Sequence, residues 1–161
     1  MISQRRQLVI DSWRTASPNA ESVGTIFYRR LFEIDPNLRR LFAGTAMEHQ
    51  IQKLTTMLDL IVRWLDAPER LVPALKQLGE RHTKYGVMDE HYAKVGTALI
   101  GALEEGLGDK FTPEVRSAWT EALILISSLM RRGAAKISGT FPAIQSDPER
   151  SDRATAGIDA G

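Results

Sequence analysis

The sequence predicts an all-α fold, and three observations carry that prediction. Apolar residues recur three and four positions apart in nearly every segment, which is the spacing of one helix face. No repeated alternation with a period of two, bounded by turn residues, is present, so strands find no support. The seven prolines, at 18, 36, 68, 73, 113, 142 and 148, act as punctuation and leave residues 74–112 and 114–141 proline-free, as long helices require.

Seven helical segments follow in order. The first covers about Gln4 to Ala16, with Val9, Trp13 and Ala16 on one face, and stops before Pro18. The second, Ala20 to Ile34, carries Val23, Phe27, Leu31 and Ile34 on its apolar side. Asp35-Pro36 reads as a cap followed by proline at the first helical position, opening a short turn that ends at Leu41-Phe42 and Gly44. From Glu48 to Leu65 the stripe is Ile51, Leu54, Leu58, Ile61 and Leu65. Asp66-Ala67-Pro68-Glu69 has capping-box spacing, and Pro73 suggests a restart before Leu75, Leu78 and His82. Gly86 ends that helix, and Asp89 is the expected cap of the next, whose face is Tyr92, Val95, Leu99, Leu103 and Leu107 before Gly108. Thr112-Pro113-Glu114 opens the last helix, striped by Val115, Trp119, Ala122, Ile126 and Leu129 or Met130, and expected to last to about Ile137.

At 161 residues, 18.0 kDa and 43% hydrophobic, the chain has the size of one domain with a core that needs no covalent staple. It has no cysteine, which excludes disulfide frameworks, zinc fingers, iron–sulfur clusters and thiolate-ligated haem. Lys+Arg number 21 against 20 Asp+Glu, for a net charge of +1, and no basic run exceeds a pair. Nucleic acid is therefore not an expected partner. No apolar stretch suits a signal peptide or a membrane span, so a cytoplasmic location and no membrane partner are expected. Residues 1–137 read as the folded domain. Residues 138–161 turn to Gly, Pro, Ser, Asp and Ala, with two arginines against four acids, and are expected to be a disordered tail.

Motif searches for catalysis fail: there is no glycine-rich phosphate loop, Gly-x-Ser-x-Gly, His-Glu-x-x-His or calcium loop. His82 lies on the apolar face of its helix, seven residues after Leu75 and four after Leu78. That position suits either a buried structural histidine or a metal ligand, and spacing alone does not separate the two. Gln50, four residues before Leu54, sits under the apolar stripe, while His49 goes with Lys53 toward its edge. A glutamine there needs a polar partner. Tyr28 follows Phe27 and could be a core aromatic with a backbone acceptor. His91 precedes the inward Tyr92 and is expected to meet solvent without a role.

The stretch Leu78-Gly79-Glu80-Arg81-His82-Thr83-Lys84-Tyr85-Gly86-Val87, continued by His91-Tyr92-Ala93-Lys94-Val95-Gly96, resembles the proximal segment of bacterial single-domain globins and the globin domain of flavohaemoglobins. Phe27-Tyr28 with Leu31-Phe32, Asp35-Pro36 with Leu41-Phe42, and Phe111-Thr112-Pro113-Glu114 with Ala118-Trp119 fall in the same order and at similar spacing. The resemblance covers about Gln4 to Arg132 and implies a globin fold of seven to eight helices, three over three around haem b.

That resemblance implies His82 as the proximal iron ligand and Phe42 as the ring packed on the porphyrin. Leu78 and Val87, on either side of His82 in the motif, would also touch it. Tyr28 and Gln50 match the distal pair, Leu54 the apolar residue above the iron, and His49 competes with Gln50. Lys53, Arg81 and Tyr85 are the candidates to meet the haem carboxylates. Hydrogen bonds from Tyr28 and Gln50 would slow oxygen release roughly tenfold to over a hundredfold, given about 1.5–3 kcal/mol for bonds to charged groups. Tyr92 matches a tyrosine that, in flavohaemoglobins, joins a glutamate of the last helix to tune the proximal histidine. Here Ala134 stands at the glutamate position, and no acid occurs between Glu121 and Asp147, so strong peroxidase-like or dioxygenase chemistry is not expected.

The implied function is reversible binding of dioxygen and of nitric oxide or carbon monoxide. A nitric oxide dioxygenase served by an external reductase is the alternative, and a gas-sensing or haem-free interaction module a second one.

Overall fold

The computed structural model describes residues 3–140. Its elements are α1 (Ser3–Ala16), α2 (Ala20–Ile34), α3 (Met47–Arg63), α4 (Pro68–Lys84), α5 (His91–Leu107) and α6 (Pro113–Thr140), with 3-10 turns at Ser17–Asn19, Pro36–Phe42 and Gly108–Lys110. Among the described residues there is no strand. Six α-helices stand where seven to eight helices were expected, because Pro36–Phe42 winds as a 3-10 helix. The last helix runs three residues past Ile137. The remainder of the expected tail, 141–161, lies outside the described residues.

Local signals set several boundaries as the sequence suggests. The Asp35 carboxylate accepts from the Asn37 amide at 3.1 Å with proline at the first position. Thr112 Oγ1 accepts from the Val115 amide at 3.2 Å and opens α6. Gly108 closes α5 with φ 57°, and Gly86 turns the chain after α4 with φ 97°, conformations that cost glycine little.

Four local expectations are corrected. Asp66 does not cap α4: with proline at the first helical position, Ala67 is the cap residue, one position too late for Asp66, whose carboxylate meets Arg6 Nε at 3.2 Å instead. Pro73 does not restart a helix. It lies inside the continuous α4, where it forgoes one early-turn hydrogen bond while Leu71, Leu75 and Leu78 bury the opposite face. Asp89 does not cap α5, because its carboxylate is taken by Arg131 Nε at 2.9 Å. Ile34, the last residue of α2, is 42% exposed rather than core.

The most extensive pairings are α4 along α6 and α2 along α5, with α1 packed across α6. Trp13 and Trp119 meet edge to face with centroids 6.4 Å apart. Their indole N–H groups are both used, Trp119 on Ser12 Oγ at 2.8 Å and Trp13 on Asp59 at 2.6 Å, so burying them leaves no donor unpaired. This frame packs α4 along α6 and opens a cavity beside it.

Candidate functional site

The cavity has a volume of about 260 Å³ and receives side chains from α2, the Pro36–Phe42 turn, α3, α4, α5 and α6. Eleven of the residues the sequence singled out for a site line it: Tyr28, Phe42, Gln50, Lys53, Leu54, Leu78, Arg81, His82, Tyr85, Val87 and Tyr92. The competing His49 is exposed on the outer side of α3 and is not among the lining. The register of α3 thus turns Gln50 inward, as its spacing to Leu54 suggested.

His82 is set by α4 itself. Its Nδ1 lies 2.8 Å from the Leu78 carbonyl oxygen one turn earlier. A carbonyl only accepts, so Nδ1 carries the proton and Nε2 keeps its lone pair. Burial pulls the imidazole below its usual range, the Leu78 bond works in the other direction, and the nearby Arg81 charge adds to the lowering. The result is a neutral ring with one unprotonated nitrogen, the form in which imidazole binds a metal.

Tyr28 is buried at 8% exposure, in edge contact with Phe27 and with Phe42 at 5.4 Å. Its hydroxyl donates to the Gln50 backbone carbonyl over 3.4 Å, long for an O–H···O bond. Burial pushes the phenol far above its ordinary 10.0, so the hydroxyl remains a donor across the neutral and mildly alkaline range. Phe42 also packs on Phe32 at 5.7 Å, which joins the 3-10 turn to α2.

Three polar atoms on the lining are buried without a hydrogen-bond partner: Arg81 Nε, Tyr85 Oη and Tyr92 Oη. Leaving each unpaired costs about 1–3 kcal/mol, so their gathering at one cavity marks a place built for an acceptor. Burial raises both phenols. Around Tyr92 the charged groups are Arg131, whose guanidinium lies 5.2 Å over the ring, and Asp89, bound to that same arginine. No glutamate of α6 reaches its hydroxyl, in keeping with alanine at 134.

Sequence reasoning missed two polar residues here. His91 was expected in solvent, but its side chain is 12% exposed, and it lines the cavity. Its Nδ1 accepts from the Met88 amide at 2.9 Å, which folds the ring back over the turn before α5. Helical spacing could not show that bond, because Met88 lies outside the helix. Ser127 also lines the cavity. Its position, four after Leu123, was the available signal.

The globin family profile matches residues 25–130. Neuroglobin of Danio rerio is 33% identical over 142 residues, covering 80% of this chain and 89% of that protein. A flavohemoprotein of Xylella fastidiosa is 38% identical over 112 residues, 68% of this chain but only 28% of the much longer relative. Among solved structures, an engineered carbene transferase made from a candidate nitric oxide dioxygenase of Rhodothermus marinus is 30% identical, with a TM-score of 0.79 over 88% of this chain and 99% of that one. With the helical frame, the cavity around His82 and these matches together, the chain belongs to the globin family.

Proposed function

We propose that the cavity holds haem b and that the protein reversibly binds dioxygen and other diatomic gases there, with Tyr28 and Gln50 slowing oxygen release. The residues fit the group. Apolar side chains such as Leu54, Leu78, Val87 and Phe42 suit the porphyrin faces, while the unpartnered Arg81 Nε and Tyr85 Oη suit its carboxylates. When bound, haem supplies the iron at which gases are taken up.

One observation carries the reading. His82, its Nδ1 proton committed to Leu78, shares a cavity with a buried hydroxyl donor from α2 and an amide from α3. The His82 Nε2 lone pair would hold the metal. The Tyr28 hydroxyl, only loosely engaged by the Gln50 carbonyl, would turn to a partly negative ligand without breaking a strong bond. Phe27, Phe32 and Phe42 around the phenol keep water away from that donor. The test is optical: unmodified protein reconstituted with haem should show a Soret band that His82→Ala abolishes or shifts. An unchanged spectrum in that variant would remove His82 as ligand.

A second reading, nitric oxide dioxygenase activity served by a separate reductase, is supported by the likeness to the structure of a candidate nitric oxide dioxygenase. Nitrate production from nitric oxide, sustained only when a flavin reductase is added, would separate it from storage. In both readings the protein works away from membranes and nucleic acid, in the cytoplasm. Among the described residues no helix is long and apolar enough to cross a membrane.

A further inference from the structure

Among the described residues no acidic side chain lines the His82 cavity, and the charged groups on its wall, histidines apart, are Lys53 and Arg81. A third cation stands behind that wall. Arg131 of α6 lays its guanidinium 5.2 Å from the centre of the Tyr92 ring, and the buried Tyr92 is part of the lining while Arg131 is not. Asp89 holds the same guanidinium twice: its carboxylate lies 2.9 Å from Nε, and its backbone carbonyl accepts from a terminal nitrogen at 3.4 Å.

The ion pair is lopsided. The Asp89 side chain is 81% exposed and that of Arg131 43%, so water and salt screen the carboxylate more than the guanidinium, which rests on a buried ring. A pair this exposed adds little to stability. What it does is fix the place of a cation, with the positive end against the cavity wall. Both charges are felt at Tyr92: burial raises its phenol, Arg131 works against that rise, and Asp89 adds to it. Lys53 and Arg81 are the cations proposed to meet the haem carboxylates, which would offset their charge. Arg131 stands off the wall, so its charge is left to act through Tyr92.

We propose that Arg131 is a positioning residue of the iron site: by holding a cation against Tyr92, it favours ferrous over ferric iron in the His82 cavity. The inference rests on the haem reading above. Oxidation adds one positive charge to the iron, and a fixed cation across a low-dielectric wall penalises that added charge. Arg131 supplies no electron; it shifts the one-electron balance set by an external reductant. Ferrous iron is the state that takes up dioxygen, so the same cation would raise the fraction of protein competent for the gas.

The test is a redox titration of the full chain loaded with haem. Arg131→Gln removes the charge from a half-exposed position and should lower the midpoint potential. At a fixed ambient potential the ferrous-to-ferric ratio should fall at least about twofold, roughly 18 mV at about 59 mV per tenfold for one electron. Arg131→Lys keeps the charge and should recover most of that difference. Asp89→Asn removes the anion of the pair and should leave the potential at or above the parental value. An unchanged or raised potential in Arg131→Gln overturns the inference. So does a fall in Arg131→Lys or Asp89→Asn as large as that in Arg131→Gln, because the contact would then act by holding the turn and not by its charge. A shifted Soret maximum in Arg131→Gln, which would mean a changed ligand set, overturns it as well. Failure of the unmodified protein to develop a Soret band would instead refute the haem reading.

Discussion

Gly79 of α4 lies directly against the backbone carbonyl of Met130 on α6, so closely that a methyl group there would overlap the carbonyl oxygen. Gly133 of α6 makes the same approach to the Lys76 carbonyl of α4. The two glycines bring the helices together backbone to backbone, and His82 stands three residues beyond the first contact. Gly79→Ala has no flexible side chain to displace, so one helix must move. It should destabilise the protein by at least about 2 kcal/mol, read from chemical unfolding, and weaken haem retention with it. Gly101→Ala is the control: its neighbour is the Arg30 side chain, which can swing away, and the cost should stay within about 0.5 kcal/mol. Equal costs for the two variants would refute the backbone contact as the cause.

The Tyr28 hydroxyl is the donor proposed to act on a bound ligand, and its bond to the Gln50 carbonyl is long at 3.4 Å. Tyr28→Phe keeps the ring contacts with Phe27 and Phe42 and removes only the donor. Oxygen dissociation should then accelerate by roughly tenfold or more, the equivalent of about 1.5–3 kcal/mol for a bond to a charged acceptor. Stopped-flow oxygen displacement measures this, and a change of less than about twofold would exclude the hydroxyl as the brake.

Much of this frame was legible in the sequence where the signals are local. The bounds of α2 follow from Pro18 on one side and Asp35-Pro36 on the other, and Ala20–Ile34 is what forms. Legibility failed where a distant cation claimed a local group. Asp66 and Asp89 have the composition of caps, but Arg6 and Arg131 bind them from other helices, and no short-range pattern encodes that. Pro73 failed differently, since the burial of Leu71 and Leu75 on either side of it outweighs one lost hydrogen bond. For the site, spacing put His82 and Gln50 on apolar faces but left both uncommitted. The resemblance to known globins is what named them together, and the fold brings them to one cavity. His91 was out of reach of either kind of reasoning, because a side chain folded back onto the Met88 amide obeys no helical period.

Tyr92 supports a prediction with an unusual sign. Its hydroxyl is buried with no partner, and the guanidinium of Arg131 lies over the ring. Removing an unsatisfied polar atom while keeping the ring should be neutral or stabilising, by up to about 1 kcal/mol in the haem-free protein. Tyr92→Phe should therefore not lower the unfolding midpoint; a loss above about 1 kcal/mol would mean that the hydroxyl has a strong partner after all. Conversely, Ala134→Glu would offer a carboxylate from α6. If that acid reaches Tyr92, peroxidase turnover of the haem-loaded protein should rise, and an unchanged turnover would show that the missing acid does not limit it.

Alkaline stability tests the burial of Tyr28 independently of any ligand. Its phenol titrates far above 10.0 in the folded chain because burial penalises the phenolate, whereas in the unfolded chain it titrates near that ordinary value. Between those two points the native state holds a proton that the unfolded state has released, so stability must fall as pH rises. The contribution is complete below pH about 10 and is lost progressively above it. Tyr85 and Tyr92 are shifted in the same direction, so Tyr28→Phe should flatten the decline without abolishing it. Urea unfolding at about pH 9 and about pH 11, on either side of a phenol's ordinary pKa, measures the slope. If Tyr28→Phe loses as much stability over that interval as the parent, the Tyr28 hydroxyl is not the buried, protonated donor that the proposed slow oxygen release requires.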